Sequence, residues 1–438
     1  MVRRVLFPLA VFLAVLAVVK IGFARVPSEG LLREDGLFPL WARWERGGAA
    51  RWFVPVLAAA VGTGLLWRRG AIDRLPAPAF LTGAIALFAG VACALSLTNG
   101  GFPAGLTWPL TRDEDYGRDV PRFRSIAELG ATFTARQAEL SLHGRTHPPG
   151  PIAVMLALER LTGGSVVGAA LGLVALGALT ILPLHALARD ALGERGARRA
   201  VLLWMTAPAV LLYGATCMDM VFSLPVAVAI WQGERAIASG RARPAVLAGL
   251  AIGASLLLTF AAGVAALALA LVAASRRGFR VLSIVAGVAV AVLIAARLVW
   301  GLDWWTALRQ AARLDAADWP AWSSARYFVW TRLMDVFDAL ILFGAALSAA
   351  WAGLLRPGLP SSPAWTAWAR GAAAASALAF ALGAFKIGET GRILMFLLPA
   401  VVVPVAKLLE DDDRAIAIVA LAGLAQALVF EAVLDTRW

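Results

Sequence analysis

This chain has almost no cysteine, no nucleotide-binding signature and comparatively few acids, and each shortage removes a class of function. Its two cysteines, Cys93 and Cys217, both lie inside apolar runs. A disulfide framework and a thiolate metal site are therefore not expected. There is no Walker-type loop, no G-x-G-x-x-G after a strand pattern and no G-x-S-x-G. Nucleotide-driven transport and serine hydrolysis thus lack their usual machinery. No internal repeat of transporter type, low-complexity segment or separate soluble domain is evident. Asp and Glu number 28 against 40 Lys and Arg, for a net charge of +12. Such an excess can serve nucleic acid, but these arginines sit in short loops between apolar runs, where they set membrane topology.

What is abundant is apolar sequence. Hydrophobic residues make up 61% of the 438, and the mean hydropathy is +0.77. Soluble domains lie near 45–50%, so the chain reads as an integral membrane protein. Seventeen Trp suit the two membrane interfaces. Runs long enough to span, or nearly span, about 30 Å of hydrocarbon fall at 5–24, 52–67, 78–97, 165–188, 200–214, 216–231, 244–274, 281–300, 329–354, 366–385, 393–409 and 414–434. The first resembles a signal peptide, but no small-x-small cleavage site precedes a soluble domain, and it reads as the first span.

Basic loops set the orientation. Arg3/Arg4, Arg68/Arg69/Arg74, Arg189/Arg195/Arg198/Arg199, Arg235/Arg241/Arg243 and Arg276/Arg277/Arg280 mark the cytoplasm. The run from Pro244 to Ala274 has basic loops at both ends. One straight helix would be about 46 Å long and put one of those loops outside. A hairpin turning near Thr259 to Gly263 keeps both inside. The expected fold class is an all-α polytopic membrane protein of about 11–13 transmembrane helices, one domain over 1–438, N-terminus in, in the plasma (inner) membrane.

Amphipathic juxtamembrane helices are expected in the outer segments. One falls within Pro27–Arg51, where Leu31, Leu32, Phe38, Leu40, Trp41 and Trp44 stand among charges. Another falls within Arg122–Leu142, where Ile126, Leu129, Phe133 and Leu140 recur at helical spacing. Pro148 and Pro149 end that stretch, and a short surface helix follows from Ile152 to about Leu161.

The residues able to do chemistry concentrate in the extracytoplasmic loop 98–164. Asp113, Glu114, Asp115 and Asp119 can act as a general base or hold a divalent cation, or can simply be a solvated loop balanced by Arg. His143 and His147, four apart, can share a metal only on a regular helix, which Gly144 and Pro148 oppose. A contact from His147 or Arg145 to phosphate or hydroxyl is a better reading than a metal site, and plain loop residues are the alternative to both. Lys386 and Arg392 flank Gly388-Glu389-Thr390-Gly391 on the same face and can neutralise a phosphate, or can merely snorkel. Glu389 can orient Arg392 or bind a metal. Asp219 starts a span at its outer end, as a functional acid or as a helix cap. Asp335 and Asp338 beside Arg332 read as a local ion pair, and Glu410–Asp413 as a cytoplasmic turn.

Taken together, the pattern resembles the GT-C superfamily of membrane glycosyltransferases, on the branch of protein O-mannosyltransferases and aminoarabinose transferases. The features that carry it are the acids Asp113–Asp119, the turn Thr146-His147-Pro148-Pro149-Gly150, Tyr213 to Asp219, the Gly253 to Thr259 hairpin, and Gly388-Glu389-Thr390-Gly391-Arg392 with Pro399. The resemblance implies an enzyme that moves a sugar from a polyprenyl-phosphate donor to an acceptor hydroxyl or amine on a lipid, glycan or protein. Configuration inverts, and an acid of the first outer loop, Asp115 or Asp119, is the base. Magnesium or manganese is an optional cofactor, and no nucleic acid partner is expected. The chain departs from the family in having three spans before the acidic loop, with Glu29, Glu34 and Asp35 after the first, and in its His-Pro-Pro-Gly turn. A transporter or lipid flippase is the alternative, and a non-catalytic scaffold a third. Polar residues gathered at one face, instead of at the midplane, favour the enzyme.

Overall fold

The computed structural model describes residues 2–23, 39, 40, 42–44, 50–98, 100–215, 217–318, 324, 325, 327–356, 362–384 and 388–435. The expected surface helix within 27–51, the acids Glu29, Glu34 and Asp35, and Lys386 fall largely or wholly outside these residues. Helices dominate. In chain order they are α1 (Val2–Phe23), α2 (Phe53–Arg68), α3 (Ala71–Arg74), α4 (Ala77–Ser96), α5 (Ala104–Thr111), α6 (Ile126–Arg136), α7 (Leu142–Thr146), α8 (Gly150–Leu161), α9 (Val166–Ala178), α10 (Ile181–Met205) and α11 (Pro208–Tyr213). They continue as α12 (Met218–Ser239), α13 (Ala242–Leu258), α14 (Ala262–Ser275), α15 (Phe279–Trp300), α16 (Trp304–Asp318), α17 (Phe328–Phe343), α18 (Ala345–Leu354), α19 (Pro363–Ala381), α20 (Thr390–Ile393), α21 (Leu398–Leu408) and α22 (Asp413–Val433). Among the described residues one strand pair occurs, antiparallel, with Arg43 opposite Asp435 and Trp44 opposite Leu434.

The protein is an all-α polytopic membrane protein. By length and composition five segments can cross a membrane: Ala77–Ser96, Val166–Met205, Phe279–Trp300, Thr390–Leu408 and Asp413–Val433. Shorter apolar helices cover Phe7–Ile21, Phe53–Arg68, Ala242–Leu258 and Ala262–Ser275. The run 244–274 is broken where the hairpin was expected to turn: α13 ends at Leu258, Thr259 adopts an extended conformation, and α14 starts at Ala262.

Two predicted spans are built differently. The apolar run 329–354 is α17 and α18, bent by 107° at Gly344, whose φ of 104° no helix accommodates. The run 200–214 is divided between the end of α10 and the short buried α11, because Pro208 cannot continue a helix and instead starts a new one. The basic segment Arg189–Arg199 is likewise part of kinked α10 and not a loop, with the break at Gly193 (φ 71°, ψ −179°).

Local sequence explains the outer helices. Ser125 accepts from the Glu128 amide at 3.0 Å and Glu128 accepts from the Arg124 amide at 2.7 Å, a near-reciprocal cap that starts α6. Ser141 and Ser165 cap α7 and α9 through the amides of Gly144 and Gly168.

An ion-pair clamp ties α3, α10 and α22 together. Arg199 reaches Asp73 and Asp413, each at 2.8 Å, and stacks 4.6 Å over Trp67. Arg195 adds a 2.7 Å bond to Asp413. Glu410–Asp413 therefore does more than fill a turn: Asp412 caps α22 and Asp413 anchors it. The hydrogen bond from Arg199 holds the Asp73 carboxyl below its usual pKa, against the opposing effect of burial. A carboxylate depressed in the folded state contributes stability above its unfolded pKa of about 3.9, and loses it as pH falls through the lower folded value. Asp73→Asn is expected to cost about 1–2 kcal/mol at neutral pH, a figure discounted for the partly exposed side chain. Thermal unfolding of the detergent-solubilised protein at pH 7 and pH 3.5 checks this. The wild type's advantage should be smaller at the lower pH, whereas an equal gap at both would contradict the assignment.

Candidate active site

The polar segments expected at one face do meet. The first is Arg112–Arg122, whose C-terminal part, Tyr116–Arg122, is a 3-10 helix capped by Asp115. Asp115 Oδ1 accepts from the Tyr116 amide at 2.7 Å. The second is the start of α12 and the third is α20.

Arg392 is the hub. It is 4% exposed and lies between two carboxylates, donating to Glu389 Oε2 at 2.8 Å and standing 3.4 Å from Asp219 Oδ2. Asp219 makes no side-chain cap bond to α12. It stands in the first turn of α12, where an acid suits the helix start, and it also takes a bond from Cys217 Sγ at 2.7 Å and the Arg392 charge.

The third segment is fixed from below by two acids whose role the sequence concealed. Thr390 donates to Asp335 at 2.9 Å, and the Gly391 amide donates to Asp338 at 2.6 Å. Asp335 also pairs with Arg332 at 3.2 Å, so the local ion pair exists, but both acids serve to seat α20 on α17. Gly391 permits the approach: a Cβ there would lie 2.5 Å from Leu342 Cβ.

The four loop acids have separate fates. Asp113 is exposed and pairs with Arg118. Glu114 pairs with Arg112 at 3.5 Å, while its carbonyl accepts from the His143 amide. Asp119 is fully buried and engaged on both oxygens, by the Ser141 amide at 3.0 and 3.1 Å, the Ser141 hydroxyl at 2.6 Å and Arg122 at 3.4 Å. It is a latch between the acidic loop and α7. Gly144 makes room for it, since a Cβ there would stand 2.1 Å from Asp119 Oδ2. Asp115 is only half-buried, and its Oδ2 accepts no hydrogen bond from the described residues. Its pKa is pushed up to about 7, chiefly by desolvation; the Tyr116 amide, Arg392 and Arg112 pull it down, and Asp219 pushes it further up. Asp115 thus feels both Arg392 and Asp219, which joins the acidic loop electrostatically to the buried hub. Burial and the nearby Asp219 and Asp115 carboxylates also raise the Tyr116 phenol.

His143 and His147 pack around Tyr116, with ring centroids 5.7 and 5.6 Å from it and 6.2 Å from each other. His147 Nδ1 lies 3.2 Å from the His143 carbonyl. Among the described residues no group of three His, Cys, Asp or Glu side chains is placed to hold a metal. Asp219 and Glu389 are turned to Arg392, so they do not form a protein-only cation site. Arg145 faces elsewhere: it grips Asp318 on α16 at 2.8 and 2.9 Å.

Beside the hub lies a cavity of about 670 Å³. Its polar wall includes His143, His147, Arg332 and Glu389, and its apolar wall comes from α14, α16 and α19. Sequence reasoning missed α16 and the part played by Arg332. The signals available were the Trp304-Trp305 pair opening an amphipathic stretch and a cation at the outer end of α17.

Comparison with known proteins agrees with the resemblance carried by the sequence. Residues 146–300 match the family model described as dolichyl-phosphate-mannose-protein mannosyltransferase. That segment holds His147 and Asp219 but neither Asp115 nor Arg392. The crystal structure of ArnT from Cupriavidus metallidurans in the apo state aligns at 18% identity and a TM-score of 0.44, covering 75% of this chain. The aligned region spans 60% of the ArnT chain. No curated protein matches the chain.

Asp119 and Asp115 should separate by stability. Asp119→Asn breaks charge-assisted bonds in a fully buried site and is expected to cost about 3–5 kcal/mol. Asp115 binds its proton more tightly when folded, so its ionisation weakens the fold as pH rises from about 4 to 7. Asp115→Asn removes that penalty and should unfold at a higher temperature than wild type at pH 8, with no such gain at pH 4. Thermal melts of both variants at the two pH values check this; destabilisation by Asp115→Asn at pH 8 would contradict it.

Proposed function

We propose that the chain is a GT-C-type glycosyltransferase that takes a sugar from a polyprenyl-phosphate donor at the extracytoplasmic membrane face. The match over residues 146–300 supports the reaction class. The observation that carries the site assignment is Asp115, a half-buried carboxyl in the acidic loop whose pKa is raised to about 7 chiefly by desolvation, with the charges of Arg392 and Asp219 acting on it as well. A base of that strength is about half ionised at neutral pH and strong enough to accept a proton in the transition state.

On this reading the chemistry is a single displacement. The acceptor oxygen or nitrogen attacks the anomeric carbon of the donor from the face opposite the phosphate. Its proton passes to Asp115, the new glycosidic bond forms, and the bond from carbon to phosphate oxygen breaks with inversion. Polyprenyl phosphate leaves with the electron pair. One base suffices, which agrees with a single loop acid of raised pKa. The apolar wall of the cavity suits a lipid chain entering sideways, and Arg332, with His143 and His147, lines the end where the phosphate would sit. Arg392 is already committed to two carboxylates, so we assign it the task of positioning Asp219 and Glu389 and not that of clamping phosphate. Magnesium or manganese would need ligands from the donor phosphate, and no step is routed through it.

The orientation proposed from the basic loops puts the clamp of Asp73, Arg199 and Asp413 in the cytoplasm and Asp115 outside. The acceptor remains a hydroxyl or amine on a lipid, glycan or protein.

Two variants test the assignment. In membranes supplied with labelled polyprenyl-phosphate sugar, wild-type kcat should rise through about pH 7 and level off above it. Asp115→Asn should lower kcat by about 10²–10⁴-fold and abolish that limb. Retention of the limb in the variant would assign the base elsewhere. Arg332→Ala should raise the KM for donor by about 10–100-fold, the worth of one charged hydrogen bond. An unchanged KM would remove Arg332 from the phosphate end.

A further inference from the structure

Helices α14 and α19 line two cavities, one at each end. Ala261, Gly263 and Val264 at the start of α14, with Leu382 and Gly383 after α19, border the cavity beside the candidate site. At the other end Leu271, Ser275 and Arg276 of the α14 terminus meet Pro363, Thr366 and Arg370 of α19, and Arg356 closes the cleft from the end of α18. This second cleft measures about 580 Å³. The 14 residues of α14 rise about 21 Å, which separates the two cavities along the helix; the orientation proposed from the basic loops puts the second cleft, with Arg276, on the cytoplasmic side.

The chemistry of the second cleft is lopsided. Arg276 is neutralised by Glu234 at 2.5 Å, a carboxylate that also accepts from Trp368 at 2.8 Å. Arg356 stacks 5.6 Å from the Phe7 ring. Arg356 and Arg370 are exposed and pair with no acid among the described residues. Two guanidinium charges therefore face the cleft without a counter-ion from the described chain. The floor is apolar: Leu271, Ala367, Gly371 and Ala374 lead from the arginines along the two helices. At Gly371 the helices touch, since a Cβ there would lie 2.8 Å from Val272 Cγ2.

We infer that this cleft binds the phosphate of an anionic amphiphile, with the head group on Arg356 and Arg370 and one acyl chain along the α14–α19 groove. Paired guanidinium groups suit phosphate oxygens, and basic pockets between helix ends on the cytoplasmic side suit anionic phospholipid heads. The site lies away from the proposed transfer reaction and does not depend on it.

The test uses the full-length protein in detergent, with native mass spectrometry reading bound mass. The probes are phosphatidylglycerol, phosphatidylcholine and inorganic phosphate. Wild type should hold phosphatidylglycerol about tenfold more tightly than phosphatidylcholine. The double variant Arg356→Gln/Arg370→Gln should lose that preference, and Arg356→Lys/Arg370→Lys should keep most of it. Saturable binding of inorganic phosphate, lost in the Gln pair, would support phosphate recognition and assign the source to the aqueous phase. Equal binding of every probe by wild type and the Gln pair would overturn the inference. So would a phosphatidylglycerol preference that the Gln pair keeps unchanged, which would show that the two guanidinium groups do not select the phosphate.

Discussion

The structure depends on one buried cation. Arg392 sits out of water, and a guanidinium so placed costs several kcal/mol unless carboxylates and hydrogen bonds replace its hydration. Glu389 supplies one partner from the same short helix, and Asp219 supplies the other from a segment far away in sequence. Because α20 is too short to hold itself, Asp335 and Asp338 reach up from α17 to bind Thr390 and Gly391. The requirement to compensate one charge thus fixes the start of α12, the top of α17 and the entry to α21. It also sets the field in which Asp115 titrates, since Arg392 lowers and Asp219 raises the pKa of that carboxyl.

How much of this was legible follows from what each residue can reveal on its own. Charges in apolar sequence are expensive, so the acidic loop, Asp219 and the Glu389–Arg392 segment stood out as one-faced functional candidates. The α13–α14 hairpin was legible from loop charge alone. Which acid does the work was not, because Asp113, Glu114, Asp115 and Asp119 are alike in one dimension. They differ only when Ser141 and Arg122 close on Asp119 and desolvation singles out Asp115. The bend at Gly344 was hidden because apolar residues lie on both sides of it. Asp335 does pair locally with Arg332, but the further partners of Asp335 and Asp338 lie more than fifty residues away and could not be read from the sequence. Arg145 looked ready for phosphate, but Asp318 on α16 claims it.

The two charge clusters have different kinds of electrostatics. At one, Arg195 and Arg199 are satisfied by Asp73 and Asp413, and the cluster holds helices together. At the other, acids outnumber the cation they surround, and Asp115 keeps an oxygen without a protein partner among the described residues. Structural ion pairs are complete, whereas a site that must take up a proton is left incomplete. That contrast, more than the number of charged residues, separates the candidate active site from the rest of the molecule.

The most direct measurement of the central claim is transfer of labelled sugar by purified wild-type protein from a panel of polyprenyl-phosphate sugars, with the anomeric configuration of product and donor compared by NMR. The account predicts transfer from at least one donor, with inverted configuration. Retention would require a second carboxylate as nucleophile and would contradict the single-base mechanism. Absence of transfer from every donor, by protein that melts cooperatively, would contradict the assignment as a glycosyltransferase.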